Sequence, residues 1–261
     1  MKGSLRPVQT AGGRLVVSIC CLLAFAPRAN GAQANGAQAE ARITRVIGKV
    51  ALQPGGMARL NAGMPEGTTI RTGEKARAEL TLPGKAVLRL GANTAVQGGR
   101  GGSVRLEEGA LLFQAGRNAS GTEVGTGLLT AEARGATGII DRHRTAYVKV
   151  LVLEGTARVY LPKAGESVLV RAGQLLITKP EAKILPEPVH FDIEQLYKTS
   201  LLTNSDFAPL ASNAEIARAI QKQRNDSDFI RTNLVIFGRG TLVNLVEPIP
   251  APPPKPPPPK P

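Results

Sequence analysis

From Arg42 to Thr178 the chain is a succession of short runs in which apolar and polar residues alternate, each run stopped by a glycine-bearing turn. Ala76, Ala78, Leu80 and Leu82 alternate with Arg77, Glu79 and Thr81; Leu129, Ala131 and Ala133 alternate with Thr130, Glu132 and Arg134; Val148, Val150 and Val152 keep the same period around Tyr147 and Lys149. A period of two is what a strand with one buried face requires, because successive side chains point to opposite faces. Pro54-Gly55-Gly56, Pro83-Gly84-Lys85, Gly98 to Gly102, Gly116 to Gly121, Gly165 and Gly173 punctuate the runs at a spacing that suits a sandwich, barrel or β-solenoid. At a usual strand length of ~5 residues this predicts roughly twelve strands and no long helix, a mainly β fold built as a multi-stranded sandwich or solenoid. Phe113, Tyr147 and Tyr160 are the aromatics between residues 40 and 189, so the layers must be thin and filled by Ala, Val, Leu and Ile.

The two ends do not share this pattern. Residues 1–34 read as a signal peptide: a basic start, the apolar run Leu15 to Ala26, and small-residue A-x-A sites at Ala32-Gln33-Ala34 and Ala37-Gln38-Ala39. That run is too short to cross a bilayer comfortably. The expected mature chain begins near Asn35 or Glu40, keeps no stable membrane span, and loses both cysteines, Cys20 and Cys21. The compartment implied is periplasmic or secreted, by export from a bacterial cytoplasm. Residues 248–261 hold ten of the 20 prolines and no side chains for a core, and are expected to form a disordered, extended polyproline tail.

Between β region and tail the period changes. Pro180, Pro186 and Pro188 make residues 180–191 a stiff linker, since proline cannot donate to a ladder. In residues 192–247 Asp192 is a helix cap with Gln195 three residues on, and Phe191 before it is placed to staple onto Leu196. Ser212 with Glu215 repeats the capping-box spacing ahead of a basic helix end at Lys222 and Arg224. Helices are predicted at about 192–203 and 213–225, with Leu234–Phe237 and Thr241–Val246 as a possible hairpin. The expected division is thus a β domain at 40–179, a linker, a small helical region and the tail.

Short motifs recur through the β region in an order that resembles the FecR domain. Gly48-Lys49-Val50 is similar to its opening strand and Gly67-Thr68-Thr69-Ile70-Arg71-Thr72-Gly73 to its Gly-x-x-Ile-Arg-Thr segment; Ala78-Glu79-Leu80-Thr81-Leu82, Gly84 and Leu88-Arg89-Leu90-Gly91 follow as strand, turn and strand. Leu106-Glu107-Glu108-Gly109, Ala133-Arg134-Gly135-Ala136-Thr137, Val152-Leu153-Glu154-Gly155 and Ala172-Gly173-Gln174 continue the series, so that the resemblance covers Arg42 to Thr178. It implies an envelope module related to proteins that hear TonB-dependent transporters and regulate sigma factors. Only about 14 residues precede the apolar run, which leaves no room for a cytoplasmic sigma-binding module and resembles the free-standing secreted kind more closely. Independently of the family, the two Leu-Glu-Gly motifs predict equivalent corners at Gly109 and Gly155, where a residue tolerating positive φ joins strands.

No motif carries catalysis or a cofactor: neither a nucleophile elbow nor a zincin motif nor a phosphate-cradling loop is present. Asp141 and His143 share a strand face, but Asp141-Arg142-His143-Arg144 reads better as the polar tip of a hairpin. Glu107 and Glu108 point to opposite faces of a strand and make no glycosidase pair. With two histidines and no mature Cys, no transition-metal site is expected. The charge says more. Of a net +13, residues 40–189 hold 21 basic and 13 acidic side chains, whereas residues 190–247 are nearly balanced. Such a domain is expected to bind an envelope protein or an acidic polymer or lipid head groups, not nucleic acid, since stacking rings are scarce. The candidate binding surface is Arg77, Arg89 and Lys149, expected on the solvent faces of their strands. The function expected is therefore a non-enzymatic envelope interaction module, the alternative being a FecR-type signalling component without its own cytoplasmic domain.

Overall fold

The structure is a computed structural model and describes residues 41–116, 121–203 and 206–226. The expected signal segment, residues 117–120 of the Gly116 to Gly121 turn, the hairpin after residue 233 and the proline-rich tail lie outside the described residues. Among those described, seventeen strands precede two α-helices. In chain order they are β1 (Ala41–Ile47), β2 (Val50–Gln53), β3 (Gly56–Met57), β4 (Gly63–Met64), β5 (Thr69–Thr72), β6 (Arg77–Thr81), β7 (Val87–Leu90), β8 (Ala95–Gly98) and β9 (Val104–Ala115). Then come β10 (Thr122–Gly125), β11 (Thr130–Ala133), β12 (Ala136–His143), β13 (Tyr147–Glu154), β14 (Thr156–Tyr160), β15 (Ser167–Arg171), β16 (Gln174–Thr178), β17 (Val189–His190), α1 (Ile193–Thr199) and α2 (Asn213–Arg224). The strands outnumber the expected twelve because several are two-residue pairings at sheet edges.

The strands form two layers. The first runs β4–β1–β6–β7–β9–β12–β13–β16–β17 and the second β3–β2–β5–β8–β9–β10–β11–β14–β15. Both orders advance almost in step with the sequence, so the chain lays down two layers together as a solenoid does, while their facing side chains enclose one core as in a sandwich. Ladders are antiparallel except for β9 with β10. The shared core takes Ile43, Leu80, Leu88, Phe113, Ile140 and Val150 from the first layer and Ile70, Val96, Leu106, Val124, Val159 and Val170 from the second. These are the inward residues of the period-two pattern.

The Leu-Glu-Gly corners are where the chain changes layer. Residues 104–108 of β9 pair with β8 in the second layer, and residues 109–115 pair with β12 in the first. Gly109 makes the switch at φ +93°, and a Cβ there would overlap the Thr94 hydroxyl and stand 2.6 Å from Thr94 Cα. Gly155, at φ +76°, joins β13 of the first layer to β14 of the second; a Cβ there would press on Gly135 O and come within 2.8 Å of Ala136 Cα.

A third layer covers the outer face of the first sheet. Leu112, Ile139, Leu151 and Leu175 stand opposite one another across β9, β12, β13 and β16, and pack with Phe191, Ile193, Leu196, Leu202, Leu210 and Ile216 from the helical region. The Asp192 side chain accepts from Gln195 N at 3.0 Å, and Phe191 and Leu196 are buried in one cluster, as the staple requires. Helix α1 is shorter than expected, ending at Thr199. Ser212 does not cap α2 with its side chain; its φ/ψ of −87°/9° is outside the extended range a cap needs, and its hydroxyl instead meets the Thr137 hydroxyl at 2.7 Å. Glu194 ties the helices, accepting from Arg224 at 2.6 Å and from Lys198 at 2.6 Å, and these hydrogen bonds hold its carboxyl down to about 2.

Candidate functional site

The three basic residues expected on an open surface, Arg77, Arg89 and Lys149, all lie on the outer face of the first sheet, where the helical region covers them. Their solvent exposure is therefore corrected: Arg89 is 2% exposed and Lys149 1%. A cross-strand row Arg45–Glu79–Arg89–Leu112–Ile139–Leu151–Leu175 runs over β1, β6, β7, β9, β12, β13 and β16. It begins charged and ends apolar, and Arg89 sits at the change. Its Nε donates to Glu79 Oε2 at 2.9 Å, Nη1 to Leu202 O at 3.0 Å and Nη2 to Ala208 O, and its guanidinium lies 4.7 Å over the Phe207 ring. Burial lowers its pKa against the opposing pull of Glu79. Arg89 thus fastens the segment between α1 and α2 to the sheet, with two further guanidinium donors spent on the carbonyls of Leu202 and Ala208.

Lys149 occupies the neighbouring row, opposite Asp141. Its Nζ stands 3.9 Å from Asp141 Oδ2 and 3.9 Å from the Tyr147 ring centre, and has no hydrogen-bond partner among the described residues. Desolvation pulls its pKa down to about 8, only partly offset by Asp141. Tyr147 donates to Asp141 Oδ2 at 3.3 Å, and burial followed by the Asp141 charge pushes its phenol up to about 12. The sequence reading of Asp141 as part of a polar tip is also corrected: β12 continues through His143, Asp141 is buried within it, and the turn proper begins beyond His143.

Tyr147 and Asp141 form one wall of a cavity of about 720 Å³ between the first sheet and the end of α1. Arg77 lines it; its Nη2 meets Asp206 Oδ2 at 2.6 Å, while Nη1 is buried with no partner among the described residues. Lys75, Arg77 and Arg142 are matched there by Glu74, Glu108 and Asp141, so the cavity is not a basic surface. Glu108 is engaged by Arg144 at 3.1 Å, and Arg142 Nη1 donates to Leu106 O at 2.9 Å. Ser200, also on the wall, accepts from Leu202 N through its hydroxyl. The arrangement is a polar recess in which Arg77 Nη1 has no partner among the described residues, while Glu108, Asp141, Arg142 and Tyr147 are already engaged by their neighbours. Among the described residues no three His, Cys, Asp or Glu side chains come together as a metal set.

The sequence did contain a signal of the covering layer. Val150-Leu151-Val152-Leu153 and Leu111-Leu112-Phe113 are continuous apolar runs, which mark strands buried on both faces. A base between such residues on the second face is buried with them.

Comparison with known proteins bears on what this body is. The family model described as FecR protein matches residues 68–158, from β5 to β14. Over residues 68–158 the chain is similar to a FecR domain. The FecR match is narrower than the stretch Arg42 to Thr178 over which motifs resemble the family. FecR domains are envelope-associated modules of a regulatory, non-enzymatic kind. Two crystal structures from Parabacteroides distasonis, each of a protein provisionally described as an anti-sigma factor, are similar to this chain. One is 17% identical with a TM-score of 0.43, the alignment covering 49% of this chain and 62% of the other; the second is 15% identical with a TM-score of 0.45, covering 67% and 82%. No curated protein matches the sequence. Among the described residues no helix is long and apolar enough to cross a membrane.

Proposed function

We propose that this FecR-domain chain is a non-enzymatic interaction module of the bacterial cell envelope, exported by residues 1–34 and binding an acidic envelope component. The observation that carries the reading is the FecR match on a two-layer β body. The positive excess of residues 40–189 supports an acidic partner, and with Arg89 and Lys149 buried the field must come from bases elsewhere on the surface, among them Arg45, Lys49 and Arg59. Exposed charges act over about 8 Å at physiological ionic strength and about 3 Å near 1 M salt, so binding by this field falls steeply with salt. The test is recovery of tagged full-length protein from envelope extracts at low and high salt, with intact mass of the exported form. An acidic component retained at low salt and shed at high salt is expected, on a chain cleaved between Gly31 and Glu40. Retention that ignores salt would defeat the electrostatic reading.

The FecR domain also favours a second reading, a signalling component of sigma-factor regulation that works with a separate protein carrying information across the inner membrane. Co-purification of an inner-membrane protein in place of an acidic component would select it.

A further inference from the structure

One edge of the molecule is closed by a strap that bonds to both layers. Residues 56–57 pair with β2 of the second layer, Ala58 N donates to Val50 O, Asn61 N to Ile43 O, and Ile43 N to Ala62 O, before residues 63–64 pair with β1 of the first. Ala58, Ala62 and Met64 pack inward against the core. The opposite side of the strap presents Met57 and Leu60, 59% and 61% exposed, with exposed Arg59 between them. Arg42, Arg45 and Lys49 flank it on β1 and on the turn into β2, all exposed; Arg42 Nη1 reaches Asn61 O at 3.4 Å. Residues 41–65 contain these four bases and no acid, and none of the four is in an ion pair among the described residues.

From this juxtaposition we infer that the 56–62 strap is the docking surface for an anionic phospholipid surface. It rests on the reading of the chain as an anion-binding envelope module and names the place and the ligand. Protruding aliphatic side chains ringed by Lys and Arg suit a bilayer, where the apolar tips enter the acyl boundary and the bases meet phosphates. A protein interface of ordinary size needs about 800 Å² per partner with aromatic anchors, which two aliphatic tips do not supply. Each base held near an anionic leaflet contributes about a fivefold gain in partitioning.

The experiment is sedimentation of the full exported chain with phosphatidylcholine vesicles, with and without about 30 mol % phosphatidylglycerol, and a parallel titration with poly-glutamate. Binding to the phosphatidylglycerol vesicles at least about tenfold above the neutral ones is expected. Arg59→Glu should weaken it by about tenfold or more, because reversal both removes an attraction and adds a repulsion, whereas Arg158→Glu, distant on β14, should change it by less than about twofold. The pair Met57→Ser and Leu60→Ser should lose about tenfold even at high salt, since the apolar contribution is not screened. The chain has no Trp, so Leu60→Trp supplies a single reporter whose emission must shift to the blue on the anionic vesicles. Equal losses from Arg59→Glu and Arg158→Glu, or an unshifted Leu60→Trp, would overturn the strap as the contact. Poly-glutamate binding without vesicle binding would overturn the lipid and leave the proposed function standing; binding to neither would remove both.

Discussion

Lys149 and Arg89 are both buried bases on the same face of the first sheet, yet their energetics are opposed. Arg89 has a carboxylate, two carbonyls and a ring around it, while the Lys149 ammonium beside Asp141 has no hydrogen-bond partner among the described residues. Truncating Arg89 to Ala leaves Glu79 with only the Thr44 hydroxyl and removes the donor to two carbonyls, and should cost about 3–5 kcal/mol in denaturant unfolding. Faster amide exchange in residues 200–203 and 206–210 would show that the fastening is lost; a cost below about 1 kcal/mol would contradict the assigned role. For Lys149 the sign is reversed. Its folded pKa of about 8 lies below the ordinary 10.5, so between those values the unfolded chain holds the extra proton. The penalty is full below about pH 8 and fades towards 10.5, and stability should rise by about 2 kcal/mol from about pH 7.5 to 9.5. Tyr147, raised to about 12, opposes this only above about 10, where the unfolded chain begins to lose a phenol proton that the folded one keeps. Urea unfolding across that window measures the slope, which Lys149→Met should flatten. An equal slope in the variant would place the titration elsewhere.

At the scale of elements, the two glycine corners decide how strands are shared between layers. Both have positive φ and backbone atoms where a Cβ would stand, so Gly109→Ala and Gly155→Ala combine conformational strain with overlap. Each is expected to lower stability by about 3 kcal/mol or more. Gly101, at φ +64° with open space around it, isolates the conformational part, and Gly101→Ala should cost about 1 kcal/mol. Thermal or urea unfolding of the three variants checks this; equal costs at all three would show that the overlap is relieved by a small shift. Both corners were legible in the sequence because a turn requirement is local, as was the Asp192 cap. The Ser212 cap was not, because what its hydroxyl bonds is Thr137, on a strand far away in the chain.

For the whole molecule, stability resides in the two packed interfaces of the three layers, and the proline-rich end is expected to add little to either. Deleting Pro248 to Pro261, which lie outside the described residues, should leave the thermal midpoint within about 2 °C, because the segment has only Ile249 and Ala251 as aliphatic side chains to bury. Calorimetry of the truncated chain decides it, and a larger fall would mean that the tail packs on the body.

Sequence alone determined the β class, the inward faces, the two corner glycines and the first cap of the helical region, and its motifs pointed to the FecR domain. Each of these is set by the period of side chains along a strand or by the backbone needs of one residue. It assigned Arg77, Arg89 and Lys149 to solvent, because alternation tells which side chains turn away from one core and not what lies over the other face. Tertiary structure decided that: Leu202, Phe207 and Leu210, more than fifty residues beyond Lys149, return to cover the first sheet and bury Arg89 beneath them. Exposed bases do stand beside the strap of residues 56–62, where the two layers end and no later segment among the described residues covers the chain.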